Sequence, residues 1–104
     1  MTYHQTLIRK AASLARRRGF AVHVSDSRSS ESSYLYIGRP SRQGGLKVLA
    51  QLRVSGHCRP GWARGGWLAI YSSGALYFDL RPRSRSYDRQ RVERFLDRAC
   101  GNEK

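Results

Sequence analysis

Acid is what this chain has least of. Only seven of its 104 residues are Asp or Glu, against twenty Lys and Arg, for a formal net charge of +13. A domain so one-signed repels itself and attracts polyanions, which makes nucleic acid the first partner to expect. Few carboxylates also leave little to hold a catalytic metal. Asp26, Glu31 and Asp79 are the only acids outside the second predicted helix and the C-terminal tail, whereas a metal-dependent nuclease needs converging carboxylates. Cysteine is scarce too. Cys58 and Cys100 make no disulfide framework and read as reduced thiols of a cytoplasmic protein. A zinc site would have to draw on His4, His23, His57, Cys58 and Cys100, which show no paired spacing. Long apolar runs are missing, so no membrane span is expected. Arg9, Lys10 and Arg16 break up the N-terminal apolar residues and leave no secretory h-region. The chain is therefore expected to work without metal, cofactor or membrane, and as a binding protein rather than an enzyme.

What is present suffices for one domain spanning residues 1–104. Hydrophobic residues make up 39% of the chain, enough for one modest core. Thr2 and Gln5 have capping-box spacing, and Tyr3, Leu7, Ile8, Ala11, Ala12, Leu14 and Ala15 recur at helical period. Gly19 suits the C′ position that ends this first helix. From Phe20 the period becomes two, predicting strands over Phe20–Val24, Tyr34–Gly38, Leu46–Val54, Trp67–Tyr71 and Ala75–Leu80. Ser72-Ser73-Gly74 reads as a hairpin turn between the last two. Asp88 reads as the N-cap of a second helix, with Tyr87 and Val92 at staple spacing. Val92, Phe95, Leu96, Ala99 and Cys100 form its apolar face. Short connections argue for antiparallel pairing. The expected fold is a two-layer α+β domain: an N-terminal helix, a five-stranded antiparallel meander and a C-terminal helix. Phe20, Val22, Val24, Val48, Leu52, Leu76 and Phe78 should form the strand face that meets the helices.

Seventeen of the twenty cations are Arg. A GC-rich genome accounts for Arg over Lys, but not for the shortage of acid. Three basic groups are the candidate sites. Arg59, Trp62 and Arg64 alternate charge and ring in a Gly-rich stretch; Arg forks bond phosphates and an indole stacks on bases. Arg81, Arg83 and Arg85 precede a helix start, and Arg16 and Arg17 close the first helix. Together they point to backbone-directed binding of DNA or RNA.

Two segments carry a family resemblance. Ser30-Glu31-Ser32-Ser33-Tyr34-Leu35, followed by Leu52-Arg53-Val54-Ser55-Gly56-His57, resembles small uncharacterised proteins of bacteriophages and prophages. The resemblance covers the middle of the chain and implies a mobile-element origin and a bacterial cytoplasm. It also motivates an alternative, an accessory protein that binds a host protein through an aromatic sheet face of Tyr34, Tyr36, Tyr71 and Tyr77. A small nuclease is a second alternative.

Overall fold

Thr2 opens the first helix with a full capping box. Its hydroxyl accepts the Gln5 amide at 3.2 Å, and the Gln5 side chain accepts the Thr2 amide at 3.0 Å. Helix α1 runs Tyr3–Arg17. It ends in a Schellman turn: the Phe20 amide donates to Ala15 O and the Gly19 amide to Arg16 O, with Gly19 at φ +87°. A side chain there would be strained, so glycine sets the turn into the sheet. The computed structural model describes residues 2–27, 32–55, 66–70 and 75–101, apart from the side chains of residues 66–70, 100 and 101. The strands are β1 (Ala21–Asp26), β2 (Ser32–Pro40), β3 (Leu46–Ser55), β4 (Gly66–Ile70) and β5 (Leu76–Leu80), followed by helix α2 (Arg85–Gly101).

The expected antiparallel meander is corrected. The strands lie in the order β1-β2-β3-β5-β4, and β3 pairs with β5 in parallel. The other pairs are antiparallel. Neighbouring strands joined by short connections pair as the meander rule expects; the exception follows the one long connection, residues 56–65. A segment of that length lets β4 take the outer position and β5 the inner one. Composition agrees. In β5, Leu76, Tyr77, Asp79 and Leu80 are all buried, as suits an interior strand.

Both helices cover one face of the sheet. Leu7, Ile8, Ala11, Val92, Phe95 and Leu96 meet Leu35, Ile37, Ala50, Leu52, Val54, Leu76 and Leu80 in one core. The Phe78 and Phe95 rings pack edge-on at 5.7 Å. The helices run in the same direction. Tyr3, at the start of α1, bonds Asp88 in the first turn of α2, and Arg18, just past α1, pairs with Asp97.

Two local expectations are also corrected. Val48 does not join the core. A bulge between Ile37 and Gly38 shifts the β2–β3 register, pairing Ile37 with Ala50 but Gly38 with Val48. The extra residue, Leu49, packs against the core, while Val48 is 39% exposed on the opposite face. Gly38 makes this possible, because a Cβ there would collide with the Lys47 carbonyl. Asp88 is not the N-cap of α2. Ser84 precedes the helix and its hydroxyl accepts the Tyr87 amide at 3.3 Å. Tyr87 therefore lies inside the helix, under the Arg91 guanidinium, and forms no staple.

Candidate nucleic-acid interface

Each carboxylate among the described residues is ion-paired with an arginine. The pairs are Asp26–Arg9 at 2.7 Å, Asp97–Arg18 at 2.8 Å, Asp79–Arg53 at 2.9 Å, Glu93–Arg89 at 3.2 Å, and Asp88–Arg91. Asp26 is held below its ordinary range chiefly by the hydrogen bond from Arg9, with a second from Ser33. Exposed Lys10, Arg83 and Arg85 have no carboxylate partner among the described residues.

Asp88 organises one end of the molecule. It is fully buried and accepts the Tyr3 hydroxyl at 2.7 Å, the Arg83 amide at 2.9 Å and the Arg91 guanidinium. Arg91 also donates to Arg81 O at 2.8 Å. One carboxylate thus ties α1, the Arg81–Ser84 segment and α2 together. Burial, then the hydrogen bond to Asp88, pushes the Tyr3 phenol up to about 12. The exposed side chains of Arg83 and Arg85 leave this fixed backbone with no carboxylate partner among the described residues.

Beside it lies a groove of ≈ 570 Å³ between the first halves of the two helices. Lys10, Arg85 and Arg89 supply its cations, Tyr3, Thr6 and Ser86 its hydroxyl groups, and Leu7 its apolar wall. No carboxylate lines it. Arg85 was expected from the basic run before α2. Lys10 and Arg89 were not, because their proximity follows from the shared direction of two helices far apart in sequence.

The expected basic groups divide between the ends of the sheet. Arg81, Arg83 and Arg85 follow the C-terminal end of β5, where Leu80 pairs with Val54 of β3 and Gly66 of β4. Arg16 and Arg17 sit in the last turn of α1 and feed into Ala21, at the other end, beside Gly38. Arg59, Trp62 and Arg64 lie outside the described residues, but the residues that bracket their segment, Ser55 and Gly66, are both at the Arg81 end.

The sheet face opposite the helices carries a second kind of surface. Toward its β3–β5 side, Asp79 accepts from Arg53 at 2.9 Å and from the Tyr77 hydroxyl at 3.1 Å, and Arg53 also donates to Ser32 at 3.1 Å. Burial alone would lower the Arg53 pKa, but its bonds to Asp79 and Tyr34 raise it on balance. Tyr77 is therefore part of a buried polar cluster, not of an exposed aromatic patch. Tyr71 is outside the described residues. Toward β1, His23, Ser25, Tyr36, Leu46 and Val48 line a hollow of ≈ 440 Å³.

No protein-family model, no curated protein and no solved structure matches this chain. Among the described residues, no group of three or more His, Cys, Asp or Glu is placed to hold a metal ion. No described helix is long and apolar enough to cross a membrane.

Proposed function

We propose that this is a nucleic-acid-binding protein of phage or prophage origin that acts by grasping the phosphate backbone. The observation that carries the reading is the helix groove, lined by Lys10, Arg85 and Arg89 and by no carboxylate, with exposed Arg83 also lacking a carboxylate partner among the described residues. Arg83, Arg85, Arg89 and Lys10 form the backbone-binding surface around the helix groove. Arg81 stands beside them, and Arg59, Trp62 and Arg64 belong to the segment bracketed at the same end. Guanidinium forks suit phosphate oxygens geometrically as well as by charge. Such contacts fix position without reading sequence.

Binding through phosphates releases counterions, so affinity must fall steeply with salt. Fluorescence anisotropy with labelled single- and double-stranded DNA and RNA, titrated across a range of salt concentrations, tests this. The expected result is tight binding at low salt and a linear log–log decline. The Arg83→Ala and Arg85→Ala substitutions should each flatten the slope by about one, uniformly across sequences. Absence of binding to any of the four nucleic acids at low salt would remove the proposal.

A further inference from the structure

We infer that the hollow on the sheet face opposite the helices is a stacking platform for unpaired nucleobases, so that the protein prefers single-stranded nucleic acid. The inference rests on the backbone-binding reading above and adds strandedness to it. It starts from the bulge. Regular alternation would bury Leu46 and Val48 with Ala50, Leu52 and Val54. The register shift at Gly38 instead turns them onto the open face, where they join His23 and Tyr36 around the hollow. Bulges recur where a fold re-aims a side chain toward a ligand. Val48 is exposed there and Leu46 half-buried, so the hollow has an apolar floor.

The wall of the hollow is aromatic. The His23 and Tyr36 rings lie 6.0 Å apart, tilted by 35°. No carboxylate lines it, and among the described residues the acid on the strands of this face, Asp79, is fully buried against Arg53. Exposed Arg42 lies in the turn that leads into Leu46. Flat rings with an apolar floor, and a cation in the adjoining turn, match a base joined to its phosphates. A second copy of a chain of charge +13 is a poor occupant, because like charges repel on approach. A duplex is also a poor one, because its bases are stacked on each other and show only their edges in the grooves.

The test compares single-stranded and duplex oligonucleotides of equal length at matched salt, with wild type, His23→Ala, Tyr36→Ala and Tyr36→Phe. His23 is exposed on an edge strand, so His23→Ala should keep the fold, and thermal melting checks all the variants. The expected result is that His23→Ala and Tyr36→Ala each lose on the order of tenfold in single-strand affinity, while duplex affinity and salt slope hold and Tyr36→Phe stays near wild type. Photo-crosslinking with a 5-iodouracil single strand should label the peptides carrying Tyr36 or His23, which keeps the test open even if Tyr36→Ala unfolds. Unchanged single-strand affinity, equal losses on both ligands, or crosslinks confined to the helix groove would overturn the inference and assign this face to a protein partner or to no partner. Wild type that binds neither ligand at low salt sinks the backbone reading itself, a different outcome from wild type that binds both alike.

Discussion

The helix groove and the sheet hollow are of similar size but differ in charge. The groove sets Lys10, Arg85 and Arg89 among hydroxyl groups; the hollow sets His23 and Tyr36 beside Leu46 and Val48. The supports differ as well. Behind the groove stands a buried ionic hub, Asp88, which fixes the segment carrying the arginines. Behind the hollow stands a backbone irregularity at Gly38. A charged surface must hold its cations against their mutual repulsion, and a buried carboxylate does that. An apolar surface only has to be turned outward, and one extra residue in a strand does that.

The largest effect should come from breaking the hub. Asp88→Ala leaves the Arg91 guanidinium buried without its counter-ion and the Arg83 amide without its acceptor, and should cost about 3–5 kcal/mol in urea unfolding. Asp88→Asn, which keeps an acceptor oxygen, should cost less. A loss below about 1 kcal/mol for Asp88→Ala would mean that the two helices and the Arg81–Ser84 segment are held by something else. The sheet side should respond more weakly. Gly38→Ala forces a methyl group into the Lys47 carbonyl and should cost about 1–3 kcal/mol, whereas Val48→Ala should stay within about 0.5 kcal/mol. Equal costs for the two would mean that Val48 is packed after all.

The groove should also show a pH dependence. In the folded protein the Tyr3 phenol is pushed up to about 12, against about 10 for a free tyrosine. The folded state therefore holds this proton more tightly. The stabilisation is fully present below pH 10 and is lost as the pH rises through 12. Denaturation midpoints across that interval should fall more steeply for wild type than for Tyr3→Phe. Parallel pH curves would separate Tyr3 from the Asp88 hub.

Local signals were read well and long-range ones were not. Thr2, Gln5 and Gly19 act within one turn of α1, so the capping box and the helix stop were visible in the chain. Phe20, Leu52 and Leu76, expected on the strand face that meets the helices, are buried in the core. Val48 broke the pattern because a bulge depends on two strands at once, and only the empty position at Gly38, read against its partner, would have pointed to it. In sequence Asp88 reads as a cap, because caps and buried hubs use the same residue types. What set it apart was contact with Tyr3, 85 positions away. The parallel β3–β5 pair was hidden for a related reason. Residues 56–65 looked like an ordinary loop, and nothing local says which side of β3 a returning hairpin will take.

The amino-acid sequence by itself determined the charge, the two amphipathic helices and the strand segments, because composition and short-range periodicity act through neighbours along the chain. Only the tertiary structure decided which arginines are spent on carboxylates, which cations meet across the helix groove, and which apolar residues face outward. Those outcomes depend on register, strand order and helix direction, and each is set by contacts between residues far apart in sequence.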